Sequence, residues 1–197
     1  MKNIEYFFDC SSPWTYLSFR GILELRDKKD FEIIWKPILV GGIFNSINPS
    51  VYESRKNPVE EKLKYSQKDH KDWANLRNLE INWPTIFPIN SVKAMRGAFH
   101  FVEKNTLEDY LESVFSGYWT HGKDISNVDI LLEIVEKLGV DQEQYIEVVN
   151  SEEAKQKLIE NTQELMERGG FGSPTFFVNG DDMYFGNDRI QLLKNIL

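Results

Sequence analysis

The sequence contains little cysteine and little histidine. Cys10 is the only cysteine among 197 residues, so the chain cannot form an internal disulfide, a Cys-x-x-Cys redox pair or a multi-cysteine metal site. The three histidines, His70, His100 and His121, form neither an HxxxH nor an HExxH pattern. The sequence therefore predicts a protein without a dedicated metal site.

The sequence also lacks an excess of positive charge and any long apolar run. It has 23 Lys and Arg against 31 Asp and Glu, a formal net charge of −8, so no basic excess is available to neutralise nucleic-acid phosphates. The apolar run at the N-terminus is too short for a secretory signal, and no window approaches the length of a membrane span. We expect a soluble, cytoplasmic, reduced protein that binds neither nucleic acid nor membrane.

The two ends of the chain carry the predicted strands. Ile4–Phe8 and Phe31–Ile38 are β-branched and aromatic runs, and between them Pro13 opens a segment with apolar residues at helical spacing. This order is β-α-β, with parallel strands. At the other end, strands 175–178 and 183–185 flank a hairpin turn, and a helix follows with Asn187 or Asp188 as its N-cap, which gives the order β-β-α.

The middle of the chain predicts helices only. They cover Pro58–Asn78, Ser91–Glu103, Leu107–Tyr118, Val128–Leu138, Gln142–Val149 and Glu152–Arg168. Because neither end can bury a core alone, the two ends must associate across this insertion. The sequence predicts an α/β, thioredoxin-like fold with a large all-helical insertion. Its thioredoxin-like domain comprises residues 1–40 and 169–197, and the helical insertion domain comprises residues 41–168.

The segment Asp9-Cys10-Ser11-Ser12-Pro13 joins the first strand to the first helix. Ser12 directly precedes Pro13, so its simplest interpretation is a helix cap, while the alternative is a hydroxyl that donates to a bound thiolate or another anion. Cys10 is either a small buried apolar residue or a nucleophile, although no histidine lies nearby in the sequence to act as its base.

Two C-terminal segments carry further candidate binding residues. Ser173-Pro174 enters a strand from a glycine-rich loop and is a candidate cis peptide, which would expose the Ser173 backbone to an extended ligand. Asn187 and Asp188 follow Gly186, where Asp188 is suited to a ligand cation and the nearby N–H groups to an anion.

These segments together resemble a known family, the 2-hydroxychromene-2-carboxylate isomerases and the related kappa-class glutathione transferases. The resemblance runs through nearly the whole chain. The matching residues are Asp9, Ser12, Pro13, Trp14 and Tyr16, then Lys62–Tyr65, Asp69 and Trp73, then Phe87–Asn90, Tyr118 and Trp119, and finally Phe171–Phe176 and Phe185–Arg189. Cys10-Ser11 departs from the aromatic or aliphatic pair that the family often has between Asp9 and Ser12.

The resemblance implies a DsbA-like thioredoxin fold, a homodimer and glutathione as the cofactor. Ser12 would hydrogen-bond the glutathione sulfur, and Ser173, before a cis Pro174, would pair with its cysteinyl backbone. Asn187 and Asp188 would hold the γ-glutamyl end. Asn48 and Lys62 resemble positions that bind the rest of the tripeptide.

The implied function is a glutathione-dependent isomerase of the 2-hydroxychromene-2-carboxylate type, which performs a cis–trans or ring-opening isomerisation of an aromatic keto acid. Trp83, Phe87 and Trp119 are candidate walls of the substrate pocket, and candidate partners of the substrate carboxylate are Lys62, Lys93 and Arg96. Two alternatives remain open: a kappa-like transferase or peroxidase acting on an electrophile, and a non-catalytic module that binds thiols or peptides. A disulfide oxidoreductase is disfavoured, because Thr15 stands where the second cysteine of the DsbA pair would lie.

Overall fold

The computed structural model describes residues 2–197, and a four-stranded mixed sheet of order β2-β1-β3-β4 lies at its centre. β1 runs parallel to β2, with Ile4 opposite Ile33, and antiparallel to β3, with Tyr6 opposite Phe176. β4 pairs antiparallel with β3. The strands are β1 Lys2–Phe8, β2 Phe31–Pro37, β3 Thr175–Val178 and β4 Asp182–Phe185. The predicted strands and their directions are confirmed.

Helices surround this sheet and fill the long segment between β2 and β3. They are α1 Pro13–Arg26, α2 Val40–Ser46, α3 Ser50–Lys56, α4 Glu60–Leu76, α5 Val92–Lys104, α6 Leu107–Phe115, α7 Val128–Lys137, α8 Gln142–Asn150, α9 Glu152–Glu167 and α10 Ile190–Ile196. The thioredoxin-like α/β fold with many inserted helices is therefore confirmed. Among the helices of residues 2–197, none is long and apolar enough to cross a membrane.

Three local features differ from the sequence predictions. The short helices α2 and α3 were not predicted, because Gly41-Gly42 and Pro49 interrupt their apolar spacing. The helix predicted to reach Tyr118 ends at Phe115 and continues as a π-helical turn, Ser116–Thr120. The Asn187 or Asp188 cap is wrong, since these residues form a 3-10 turn and α10 begins at Ile190 without a side-chain cap.

The two faces of β1 bury different apolar clusters. Tyr6 and Phe8 belong to the main core, which also contains Phe19 of α1 and Phe115 of α6. Phe7 points to the other face and packs with Ile38, Ile43, Leu165 and Phe177. This alternation follows from the two-residue period of a strand. The domain limits of 1–40 with 169–197 and of 41–168 stay a prediction.

The sheet brings two distant loops to one edge. Phe7 of β1 lies opposite Thr175 of β3, so the antiparallel pair places the turn after β1 next to the loop before β3. The Ser173–Pro174 bond in that loop is cis, as predicted, and a second cis bond, Phe87–Pro88, was not predicted. The candidate residues Ser12 and Ser173 therefore meet at this edge.

Candidate active site

Ser12 is the N-cap of α1. Its backbone is extended, with φ −101° and ψ 123°, and its side-chain oxygen accepts from the Thr15 N–H at 3.3 Å. Pro13 occupies the first helical turn, where a missing N–H costs no hydrogen bond. The cap interpretation of Ser12 is confirmed, and the side chain stands at the positive end of the helix dipole.

The Ser12 hydroxyl also faces the cis-proline loop. It donates to the Ser173 carbonyl oxygen at 3.1 Å. A hydroxyl donates one hydrogen bond at a time. An anionic ligand at this turn would therefore accept the Ser12 hydrogen bond in place of the Ser173 carbonyl. The carbonyl would then be free to accept from a ligand N–H. The Ser12 hydroxyl and the Ser173 carbonyl could thus exchange their mutual hydrogen bond for two hydrogen bonds to a ligand.

Hydrogen bonds fix the Ser173 side chain below this pair. Its hydroxyl lies 2.7 Å from Thr15 Oγ1 and accepts from the Asp9 N–H at 3.0 Å. Ser173 is 7% exposed and Thr15 fully buried. The loop before β3 is therefore attached to both β1 and α1, which holds the Ser173 carbonyl at the helix terminus.

Asp9 organises the backbone of the turn. Its carboxylate accepts from the Ser11 N–H at 2.9 Å and from the Val40 N–H, at the start of α2, at 2.8 Å. Burial raises the pKa of Asp9, and these N–H donors act in the opposite direction. Asp9 therefore joins the Ser12 turn to the first residue of α2.

The only thiol of the chain is enclosed beneath the turn. Cys10 is 0% exposed, its carbonyl accepts from Trp119 Nε1 at 2.9 Å, and its N–H contacts the Met95 sulfur at 3.4 Å. Burial, and after it the Asp9 carboxylate, raises the pKa of the Cys10 thiol well above its ordinary value. Because a nucleophile must be an exposed thiolate, this geometry opposes the alternative that Cys10 is catalytic.

Asn187 contributes a buried acceptor beside the cis-proline. It is 3% exposed, and its Oδ1 has no hydrogen-bond partner within residues 2–197. The Gly186 N–H donates to the Pro174 carbonyl at 3.1 Å, which fixes this segment next to the loop. Asp188 is about half exposed and lies 3.3 Å from Arg189. The Asn187 amide oxygen is thus a buried acceptor that no described residue uses.

Asn48 contacts this loop, whereas Lys62 has no hydrogen bond or ion pair with any described residue. Asn48 Nδ2 donates to the Phe171 carbonyl at 3.2 Å, two residues before Ser173. Lys62 is exposed on α4. It precedes His70 by two helical turns, about 12 Å along the axis. The structure thus gives Asn48 a contact with the other candidates, and the role of Lys62 stays a prediction.

Aromatic side chains form a wall beside the Ser12 turn. Trp83 lies 5.1 Å from Phe87 and 5.7 Å from Trp119, measured between ring centroids. His70 lies 3.7 Å from Trp14 and 5.6 Å from Trp83. Trp119 is fully buried, but Trp83 is 55% exposed. This aromatic wall, Trp14, His70, Trp83, Phe87 and Trp119, therefore reaches from the core to the surface next to the turn.

A family model described as a DSBA-like thioredoxin domain matches residues 3–197. The chain belongs to the DsbA-like thioredoxin family. A 2-hydroxychromene-2-carboxylate isomerase from Pseudomonas sp. (strain C18) is 30% identical over 194 residues, which cover 98% of this DsbA-like chain and 88% of that relative. Human glutathione S-transferase kappa 1 is 26% identical over 211 residues, covering 100% and 91% of the two chains.

A solved structure of a 2-hydroxychromene-2-carboxylate isomerase matches this DsbA-like chain with a TM-score of 0.82. The two share 25% identity, and the match covers 98% of this chain and 93% of the other. The predicted resemblance to these isomerases and to the kappa-class transferases is therefore confirmed. These relatives are named as enzymes, while the roles of the individual site residues stay predictions.

One cation next to the aromatic wall, Arg55, was not predicted from the sequence. Arg55 of α3 lies 5.2 Å from the Phe87 ring centroid and 5.6 Å from that of Phe44. Arg55 is exposed, and within the described part of the chain it forms no ion pair. No local pattern marks Arg55, because both rings reach it from other elements.

Proposed function

We propose that this chain is a glutathione-dependent isomerase of the 2-hydroxychromene-2-carboxylate type. The observation that carries the proposal is the Ser12 hydroxyl, which lies at the N-terminus of α1 and 3.1 Å from the Ser173 carbonyl oxygen, above a buried Cys10. Such a turn offers a donor and a helix dipole to a thiol that the protein does not supply.

The chemistry of the surrounding residues fits glutathione. The partnerless Asn187 Oδ1 suits the ammonium of a γ-glutamyl group, with Asp188 beside it as the counter-charge. The Ser173 backbone would pair with the cysteinyl part as one strand pairs with another. Asn48, against the Phe171 carbonyl, and Lys62 on α4 would hold the remainder.

Bound glutathione would supply a thiolate for reversible addition to a conjugated double bond of the substrate. The protein's part is to keep that sulfur ionised. A helix dipole contributes up to about 2 kcal/mol, and a hydrogen bond to a charged group about 1.5–3 kcal/mol. Since one pKa unit corresponds to about 1.36 kcal/mol, the Ser12 donor alone lowers the pKa of a thiol, about 8.5 in water, by about one unit or more.

The aromatic wall and Arg55 would bind the aromatic keto acid. Exposed Trp83 and partly buried Phe87 offer ring faces next to the Ser12 turn. Arg55 lies 5.2 Å from the Phe87 centroid, so its guanidinium is the cation adjacent to that surface. Lys93 is exposed and without partners among residues 2–197, and Arg96 lines a different cavity. We therefore assign the substrate carboxylate to Arg55.

Two measurements test this function. Isothermal titration calorimetry with glutathione measures binding of the cofactor, and absorbance spectroscopy follows 2-hydroxychromene-2-carboxylate with and without glutathione. We expect glutathione to bind and isomerisation to require it. A parallel assay with 1-chloro-2,4-dinitrobenzene measures conjugation.

The outcomes separate the alternatives. Conjugation of the chloronitrobenzene without isomerisation would identify a kappa-like transferase. Binding of glutathione without either reaction would support a thiol-binding module. If glutathione does not bind at millimolar concentration, both enzyme proposals are wrong.

A further inference from the structure

A cavity lies between α2, α5 and α9, away from the candidate active site. Its volume is about 470 Å³, within the range of about 300–1,000 Å³ that is usual for small-molecule sites. The walls are mainly apolar, contributed by Leu39, Val92, Leu158, Ile159 and Met166, among others. We call it the α5–α9 cavity. Its size and lining suit an apolar chain or ring of a small ligand.

Arg96 is the polar group that distinguishes this cavity from a gap between helices. Its Nε is buried without a hydrogen-bond partner, and its Nη1 reaches only the Val149 carbonyl, at a long 3.4 Å. Throughout residues 2–197, no carboxylate lies within ion-pair distance of it. A partly buried guanidinium whose Nε has no partner favours an anion that can accept two parallel hydrogen bonds.

The other charges at the rim limit the charge of that anion. Lys155 also lines the cavity, but its ammonium pairs with Glu152 at 2.9 Å. The hydrogen bond from Lys155 lowers the pKa of Glu152, so this carboxylate is charged and lies at the rim beside Lys155. Two cations and one carboxylate leave a single positive charge. A monoanion therefore matches the rim, whereas a phosphate dianion would face repulsion from Glu152.

The α5–α9 cavity is built by different residues from the candidate active site. Neither Ser12, Ser173 nor Asn187 lines it, and nor does any member of the aromatic wall. The two regions share only a neighbouring segment. The Leu39 N–H donates to Thr162 Oγ1 in the cavity wall, while the next residue, Val40, donates to Asp9. The cavity is therefore separate from the candidate active site.

We propose that the α5–α9 cavity binds an amphipathic monocarboxylate, with the carboxylate on Arg96 and the apolar chain against Leu158, Ile159 and Met166. This site is independent of glutathione and of the isomerase reaction. The ligand class follows from the apolar walls, the unpaired guanidinium and the single net positive charge of the rim.

Octanoate and 1-octanol are the probes, because they share a chain length and differ in charge. We expect octanoate to bind the intact protein, as measured by calorimetry, and 1-octanol to bind at least about tenfold more weakly, since a charged hydrogen bond is lost. Arg96→Gln should weaken octanoate binding by a similar factor. Lys93→Gln, an exposed cation on the same helix, is the matched control and should bind like the parent.

Gly42→Leu tests the apolar part without changing a charge. A Cβ atom at Gly42 would meet only Thr162 Cγ2, at an ordinary 3.6 Å, and Gly42 lines the cavity, so we expect the variant to fold with its leucine side chain in the cavity. We expect it to abolish octanoate binding while it retains the thermal midpoint to within a few degrees.

Several results would overturn the site. They are no octanoate binding at millimolar concentration, equal affinity for octanoate in Arg96→Gln and the parent, and an unchanged affinity in Gly42→Leu. Backbone NMR of the octanoate complex gives the location: shifts confined to α2, α5 and α9 support the site, and shifts at Ser12 and Trp83 contradict it.

Discussion

At the scale of single residues, Ser12 combines two tasks in one hydroxyl. It caps α1 by accepting from the Thr15 N–H, and it donates to the Ser173 carbonyl. Its removal therefore lowers both helix stability and any affinity for an anion at the turn. An experiment on Ser12 needs a control that isolates the capping term.

Ser151 provides that control. It is the N-cap of α9, accepts from the Ala154 N–H at 3.0 Å and lies in a different part of the chain. Ser12→Ala and Ser151→Ala should each lower the free energy of unfolding by about 0.5–2 kcal/mol. Only Ser12→Ala should weaken glutathione binding, by about tenfold or more, and shift the pH dependence of activity upward. Calorimetry and a pH–rate profile check this, and equal binding in both variants would remove Ser12 from the site.

Cys10 gives the complementary prediction. Cys10→Ser places a smaller hydroxyl in a fully buried position, so we expect a loss of stability of about 1–3 kcal/mol. At a temperature where the variant is folded, the isomerisation rate should remain within about twofold of the parent, because the thiol takes no part in the chemistry. An inactive but folded variant, judged by circular dichroism, would restore Cys10 as a catalytic candidate.

Arg55 and Lys56 are adjacent cations of α3, but only Arg55 contacts the aromatic wall. Arg55→Gln should raise KM for the carboxylate substrate by about tenfold or more, since a charged hydrogen bond is lost, and should change kcat little. Lys56→Gln should leave both constants unchanged. Direct titration with an aromatic keto acid, followed by tryptophan fluorescence, reports the same difference even without turnover. Equal affinities would place the carboxylate elsewhere.

At the scale of secondary-structure elements, His70 connects α4 to α1 through Trp14. Its Nδ1 lies 2.6 Å from the Ser66 carbonyl, and burial lowers the pKa of the imidazole below 6.5. The folded state thus binds a proton less readily than the unfolded state. The contribution of neutral His70 to the free energy of unfolding is therefore complete above pH 6.5. It is lost as the pH falls from 6.5 towards the folded-state pKa.

Urea unfolding at pH 7.5 and at pH 5 measures this effect. The parent should lose more free energy of unfolding between these pH values than His70→Asn does, while His100, whose pKa burial also lowers, contributes equally to both. His121→Asn removes an exposed histidine and should keep the parental difference. If His70→Asn retains the full parental difference as well, His70 is not a source of this pH dependence.

Elements also show how far the sequence predicts the structure. β1, α1 and β3 were predictable, because their spacing, Pro13 and the Ser12 cap are local signals. The role of Asn187 as a buried acceptor was not, since a cap was the favoured local interpretation and its burial depends on the Pro174 loop. The contact of Arg55 with Phe87 and the cavity lined by Arg96 join residues far apart in the chain, which single-sequence patterns do not report.

At the scale of the whole molecule, the main core crosses the predicted domain limits. It unites Tyr6 and Phe19 from residues 1–40 with Tyr110 and Phe115 from the helical segment. Because the two parts share buried surface, we expect one cooperative unfolding transition. Far-ultraviolet circular dichroism and tryptophan fluorescence should give the same denaturant midpoint. Two separated midpoints would instead indicate domains that unfold independently. The predicted homodimer stays a prediction, which sedimentation velocity can test.

The enclosure of Cys10 has a practical consequence for a protein proposed to handle a small thiol. A sulfur on a fully buried residue cannot exchange with oxidised glutathione until the turn opens. The chain therefore resists mixed-disulfide formation without needing a reductase. Because Cys10 is enclosed, the rate at which a maleimide modifies it measures how often the turn after β1 opens. A ligand that bridges Ser12 and Ser173 would lower that rate.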